Sequence, residues 1–278
     1  MVHIITDTTS GLAPEIAARY DIPVIPQIIN FGHESYRECE EMDSVTFLDR
    51  LRQSDVLPQT AAPPPEWFHE PFRRYSADGE PILCLHPSAK VSGTVRSATI
   101  ARQSFPDADI RVMDTLSLGG PLAWMVTRAA EAAEAGEDAD TIWARLEDMR
   151  ARQRIHFTVD TLEYLQRGGR IGGAKVLLGN LLSVRPILDW VDGQVEPRTN
   201  ERTRKRALRT IMGIVFEAAP RDRDPLFSLM HASAPDVAEA LTDELQAEFG
   251  HASLIVQDLV PAIVTYGGPG AVGLGYFV

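Results

Sequence analysis

Pro81-Ile82-Leu83-Cys84-Leu85, followed a few residues later by Ser92-Gly93-Thr94, is the stretch that decides the architecture. Five short apolar residues fit a strand buried on both faces, and the Ser-Gly-Thr segment opens a helix running to about Ser104. The unit then repeats. Ile110-Arg111-Val112-Met113-Asp114 is a second such strand, with a Gly119-Gly120-Pro121 loop and a long alanine-rich helix after it. Upstream, Val2-His3-Ile4-Ile5-Thr6-Asp7 reads as a buried strand ending in an Asp/Thr/Ser loop, and Ala13 to Tyr20 as a helix with Pro14 in its first turn. Strands alternating with helices specify a parallel sheet covered on both faces, and ligands of such sheets sit beyond the strand carboxyl ends. Asp7, Ser92 and Asp114 fall at those ends.

Between these units, Ile22 to Ile29 reads as a further strand. Ser44 to Leu51 reads as a helix with a hydroxyl cap and with Val45, Leu48 and Leu51 on one face. The proline cluster from Pro58 to Pro65 excludes a helix interior, so Thr60 is expected in an extended loop before a helix around Glu66 to Tyr75. After about Gln153 the character changes. Ile155 to Val159 reads as a strand and Thr161 to Gln166 as a helix, and a glycine-rich basic segment follows. A basic helix from about Glu201 to Ala219 comes next, then a strand near Leu226 to His231, a helix from Pro235 to Phe249 and a strand from Ser253 to Asp258. A terminal strand over Val272 to Phe277 closes the chain. The expected fold is two α/β domains, a parallel-sheet domain over 1–153 and a smaller one over 154–278.

Composition narrows the function. A chain of 278 residues has material for a substantial core, and 39 Asp+Glu against 27 Lys+Arg gives a net charge of -12. That balance argues against a general electrostatic grip on nucleic acid or anionic membrane. Two cysteines, Cys39 and Cys84, build neither a disulfide framework nor a four-ligand zinc site. The opening residues carry no charged and apolar leader pattern, and no later stretch approaches a spanning length. A cytoplasmic protein without stable membrane insertion is the expectation.

The residues permit few catalytic readings. Asp7 stands where an aspartate could attack phosphorus, yet Thr9 occupies the position at which a magnesium phosphotransferase of that type carries a second acid. A structural acceptor role at the loop fits Asp7 better, with a metal-dependent phosphotransferase or hydrolase as the alternative. Serine-hydrolase and P-loop motifs are missing. The seven histidines (His3, His33, His69, His86, His156, His231 and His251) lack metal-ligand spacing, and a thiol inside an apolar strand, such as Cys84, is inert. Gly267-Gly268-Pro269-Gly270 reads as a tight turn, with an anion nest as its functional counterpart. Ser92-Gly93-Thr94 reads as a helix cap that also offers N–H and hydroxyl donors to a carboxylate, and Thr60 is the candidate second donor.

Taken in order, these segments resemble the DegV family of fatty-acid-binding proteins, which includes the lipid-carrying subunits of bacterial fatty acid kinases. The resemblance spans essentially the whole chain. Asp7-Thr8-Thr9-Ser10 is similar to the family's opening loop, and Thr60-Ala61-Ala62-Pro63 to its Thr-Ser-Gln-Pro. Ser92-Gly93-Thr94 with Ser97-Ala98 resembles its Ser-Gly-Thr segment. Thr161-Leu162-Glu163-Tyr164-Leu165-Gln166-Arg167-Gly168-Gly169-Arg170-Ile171 is close to its most specific stretch. Arg185-Pro186-Ile187-Leu188 resembles its Lys-Pro-Ile-Leu, and Gly268-Pro269-Gly270 its final glycine turn.

What the resemblance implies is a carrier or sensor, not a catalyst, with a long-chain fatty acid as ligand in a site between the two domains and no cofactor or metal. The acyl chain would thread the apolar interior while Thr60 and Ser92 hold its carboxylate, with Gly93, Thr94, Arg170, Tyr266, Gly267 and Gly268 around them. Burying roughly fifteen methylenes at about 0.8 kcal/mol each contributes about 12 kcal/mol gross, before the costs of ordering the chain. A basic run (Arg198, Arg202, Arg204, Lys205, Arg206 and Arg209) suggests docking of a fatty acid kinase through Arg202, the plain reading being a solvated helix face. Three departures bear on the head group. Ala61 and Ala62 replace Ser and Gln, Tyr266 replaces His, and the Asp114 loop is short.

Overall fold

In a computed structural model of the chain, the described residues are 1–54, 56–180, 184–221, 225–250 and 252–278; His251 lies outside them. The amino-terminal half follows the alternating pattern. Strand β1 (His3–Asp7) leads through a short 3-10 turn at Thr8–Ser10 to helix α1 (Pro14–Arg19). The expected strand over Ile22 to Ile29 is instead two pieces, β2 (Val24–Ile25) and β3 (Ile28–Phe31), in different sheets. Pro26-Gln27 divides them, because proline cannot continue a ladder. β2 pairs in parallel with β1, whereas β3 pairs with β4 (Glu34–Arg37) and with β5 (Gln59–Ala61), both antiparallel. Thr60, expected in a loop, therefore sits on a short edge strand opposite Ile29.

Helix α2 (Ser44–Gln53) is capped by the Asp43 carboxylate rather than by Ser44, and it buries Phe47, Leu48 and Leu51 while Val45 is exposed. A 3-10 turn and α3 (His69–Ser76) precede β6 (Ile82–His86), then α4 (Thr94–Arg102) and β7 (Ile110–Asp114). The parallel sheet has the order β2-β1-β6-β7, and every residue of β6 is buried, as a central strand requires.

Helices α5 (Gly119–Glu134) and α6 (Ala139–Arg152) follow, and α6 runs without a linker into β8 (Gln153–Thr158). Next come α7 (Glu163–Arg167), β9 (Arg185–Val191), β10 (Gln194–Glu201) and α8 (Arg204–Ala218). The last elements are β11 (Leu226–His231), α9 (Pro235–Phe249), β12 (Ser253–Asp258), α10 (Pro261–Gly267) and β13 (Val272–Phe277). The second sheet runs β10-β9-β8-β13-β11-β12, antiparallel throughout except for the β11/β12 pair. It is thus the wider of the two large sheets, although it comes from the shorter stretch of chain.

Helix α5 joins the two large sheets. One side packs on β1 and β6, the other on β11, β12 and β13. Leu122, Val126 and Ala130 share one cluster with Ile4 and Leu83 of the parallel sheet and Phe277 of the mixed sheet. Absence of a side chain permits this approach: a Cβ on Gly120 would lie 2.1 Å from the Ser228 Cβ on β11. Trp124 secures the seat by donating from Nε1 to the Phe227 carbonyl at 2.7 Å.

Candidate functional site

The carboxyl ends of the parallel sheet face the β8, β11 and β13 surface of the mixed sheet, and a cavity of about 1050 Å³, counting its open mouth, lies between them. That size suits a small-molecule ligand. Strand alternation decides what enters it. On β8, Ile155 and Phe157 line the cavity, while His156 points the other way, to Asp189 at 2.7 Å and to the Tyr276 hydroxyl at 3.1 Å. Trp190, Val195, Met230 and Ile263 extend the apolar wall.

Polar groups gather at one end. Thr60 Oγ1 on β5 and the Tyr266 hydroxyl on α10 are 2.6 Å apart. The Arg170 guanidinium carbon lies 4.6 Å from the centre of the Tyr266 ring, a cation–π stack. Arg170 is held there by its own donors, Nε to the Val91 carbonyl at 3.2 Å and Nη1 to the Gly168 carbonyl at 2.7 Å. Val91 leads directly into Ser92 and Gly93, and a Cβ on Gly93 would meet that of Ala62 at 3.2 Å. The two loops therefore touch where Ala62 stands, and Thr60, Ser92, Arg170 and Tyr266 surround one spot.

Six of the eight anticipated ligand residues line this cavity: Thr60, Ser92, Gly93, Arg170, Tyr266 and Gly267. The other two do not. Thr94 is fully buried behind Ser92, whose Oγ is 2.8 Å from its Oγ1. Gly268 turns the chain with φ +74°, and its N–H goes to the Val264 carbonyl at 2.8 Å; Gly270 N–H goes to the Ala232 carbonyl at 2.9 Å. With those amides engaged, the segment works as a tight turn and not as an anion nest. The glycine-rich stretch after α7 has a packing reason too. A Cβ on Gly168 would lie 2.3 Å from the Tyr266 ring, so glycine lets that ring lie against the backbone.

Asp7 does not reach the cavity. It is fully buried, and its Oδ1 accepts from Thr9 N at 3.0 Å, Thr9 Oγ1 at 2.6 Å and Gln27 Nε2 at 3.0 Å, while Oδ2 pairs with His86 Nδ1 at 2.7 Å. A carboxylate so engaged has no free oxygen with which to attack a substrate. Among the described residues, no group of three or more His, Cys, Asp or Glu is placed to hold a metal ion. Asp114 likewise serves its own turn, accepting from Leu116 N at 3.0 Å.

Thr9 and Gln27 line the cavity and were not anticipated, nor was Glu38 behind them. Glu38 Oε1 accepts from Ala262 N, the second residue of α10, at 2.5 Å, and Oε2 accepts from the Thr8 hydroxyl. Burial pushes its carboxyl up to about 7, opposed by those two hydrogen bonds and reinforced by nearby Asp7. Glu38 thereby ties the first residues after β1 to the helix that carries Tyr266.

The basic run is not one helix face. Arg198 lies on β10 and pairs with Asp189 at 2.8 Å, and Arg204 donates to the Gly270 carbonyl at 2.9 Å. Arg202, Lys205, Arg206 and Arg209 are exposed and form no ion pair among the described residues.

Comparison with known proteins agrees with this architecture. A family model described as "Uncharacterised protein, DegV family" matches residues 1–278. A DegV domain-containing protein of Halalkalibacterium halodurans is 32% identical over 278 residues, covering 100% of this chain and 98% of the relative. Among solved structures, a DegV family protein from Thermus thermophilus described by its fatty acid binding superposes with a TM-score of 0.92 at 32% identity, covering 99% of each chain. DegV of Bacillus subtilis, described as a fatty acid binding protein, superposes with 0.88 at 29% identity, covering 99% of this chain and 98% of its own. These solved relatives are described by what they bind and not by a reaction. A match that begins at the first residue, ends at the last and extends to the superposed backbone places the chain in the DegV family.

Proposed function

We propose that the chain binds one long-chain fatty acid in this cavity, with the carboxylate at the Thr60 and Ser92 end, and presents that carboxylate to a partner kinase. The observation that carries the reading is the segregation of the cavity: hydroxyls and a guanidinium at one end, aliphatic and aromatic wall elsewhere. Such a surface is complementary to an amphiphile with one small acceptor head group. Hydroxyl donors and Arg170 offset the lost hydration of the carboxylate, and the wall supplies the apolar burial. Fatty acid binding by the relatives from Thermus thermophilus and Bacillus subtilis supports the same conclusion.

A carrier of this kind works in the cytoplasm, where Cys39 and Cys84, both free, stay reduced. No helix among the described residues is long and apolar enough to cross a membrane. The exposed cations Arg202, Lys205, Arg206 and Arg209 are the candidate kinase surface in an otherwise acidic protein. Native mass spectrometry of the purified protein, with solvent extraction, tests the binding step. A stoichiometric fatty acid is expected; a protein that stays apo after incubation with fatty acids would overturn it. For the kinase step, Arg202→Glu is expected to lower acyl-phosphate formation with lipid content unchanged, and equal turnover by both proteins would refute the docking role.

A further inference from the structure

A buried chain of hydrogen bonds behind the head-group end has a defined direction. Asp7 Oδ1 takes three donors, and two of them, Thr9 N and Gln27 Nε2, can only donate, so Oδ1 accepts. That contact fixes the Gln27 amide, since the flipped amide would set its oxygen against a carboxylate oxygen. The second hydrogen on Gln27 Nε2 goes to Thr94 Oγ1 at 2.9 Å. Thr94 is fully buried, and its hydroxyl has two partners among the described residues, Gln27 Nε2 and Ser92 Oγ. Having accepted from Gln27, it satisfies its own hydrogen by donating to Ser92 Oγ at 2.8 Å. Ser92 Oγ also accepts from Thr94 N at 3.3 Å. Both of its lone pairs are then occupied, and its hydrogen is left for the cavity.

We propose that Asp7, Gln27 and Thr94 are positioning residues that make Ser92 a donor only, so that the site selects an acceptor-only head group, a carboxylate, over the primary alcohol of the same chain. The inference rests on the fatty-acid reading above and adds its selectivity. An alcohol can accept from Ser92, but it cannot also donate to it, so Ser92 serves the alcohol no better than a single contact while the Thr60 and Tyr266 pair has one hydrogen to give the acid's second oxygen. A hydrogen bond that the acid makes and the alcohol lacks is worth about tenfold in binding.

The test is competition between hexadecanoic acid and hexadecan-1-ol, read as the ratio of the two bound masses by native mass spectrometry. Thr94→Val frees a lone pair on Ser92, so the alcohol gains a partner while the acid keeps its donor; the acid-to-alcohol ratio is expected to fall about tenfold with acid binding retained. Thr94→Ser restores the hydroxyl and is expected to restore the ratio. Gln27→Glu puts a carboxyl on the same skeleton that shares one proton with Asp7 Oδ1 and offers Thr94 a lone pair, which turns the chain round: Thr94 donates to residue 27, Ser92 donates to Thr94, and the cavity meets a lone pair. Its ratio is expected to fall further, with acid binding weakened. Circular dichroism checks that each variant folds, and Gln27→Glu decides the matter if Thr94→Val does not. Wild-type ratios in both variants, with the acid still bound, overturn the relay. A wild-type protein that binds neither probe overturns the fatty-acid reading instead.

Discussion

Thr60 and Tyr266 are 206 residues apart in the chain, yet their side-chain oxygens meet at 2.6 Å at the polar end of the cavity. One of the two hydroxyls must donate to the other, which leaves one hydrogen from the pair for a ligand. Tyr266 is also fixed by the Arg170 stack, so the phenol is held from two sides.

Tyr266→Phe keeps the ring and its stack but deletes the oxygen. Thr60 then loses its partner, and affinity for fatty acid is expected to fall about tenfold while the thermal midpoint changes little. Isothermal titration with a fatty acid, alongside calorimetric melting, separates the two effects; unchanged affinity would remove Tyr266 from the head-group site.

Ser92→Ala removes the donor from the opposite loop and strands the Thr94 hydrogen. Bound fatty acid in protein purified from cells is expected to drop below that of wild type, and Thr60→Val is expected to act in the same direction from β5. Full occupancy in both variants would place the carboxylate elsewhere.

Glu38 should make stability depend on pH. Its carboxyl is raised from 4.5 to about 7 in the folded chain, so between those values the native state holds a proton that the unfolded state has lost. Stability from this group is therefore full below about pH 4.5, falls as pH rises through the window and levels off above about 7, a total on the order of 3 kcal/mol at most. Glu38→Gln retains an acceptor for Ala262 N and offers a donor to Thr8. Urea midpoints measured from pH 4.5 to 8 should fall less steeply in this variant than in wild type; parallel curves would assign the titration to another group.

Gly120→Ala tests the seat of α5. With a Cβ only 2.1 Å from that of Ser228, helix and sheet must separate, and a loss of roughly 3 kcal/mol or more in urea unfolding is expected. A neutral result would mean that the sheet yields at little cost.

Local pattern carried the parallel sheet and the strand-to-helix units that place Ser92 and Gly93, because a short apolar run followed by a capped helix is legible residue by residue. Gln59–Ala61 was not legible as a strand, since three mostly polar residues show no alternation and pair only because β3 lies beside them. Helix α10 was missed as well. Its Ile263-Val264-Thr265-Tyr266 run is rich in β-branched and aromatic residues, and tertiary packing together with Pro261 at its start overrides that preference. Glu38 stands in the run Glu38-Cys39-Glu40-Glu41, where only burial distinguishes it from its exposed acidic neighbours. Gln27 gains its role from Pro26, which breaks a strand and turns the next residue inward between two sheets. Neither signal exists in one dimension.

The last strand of the chain, β13, lies in the middle of its sheet between β8 and β11, and its Phe277 fills the cluster under α5. During synthesis, the parallel half and α5 emerge long before the residues that cover the far side of that helix. Any nascent chain that stops short of β13 lacks a central strand and leaves the face of α5 that packs on it uncovered. Burial of α5 is thus deferred until β13 has left the ribosome, and the intermediate that waits for it is the form that a chaperone would meet.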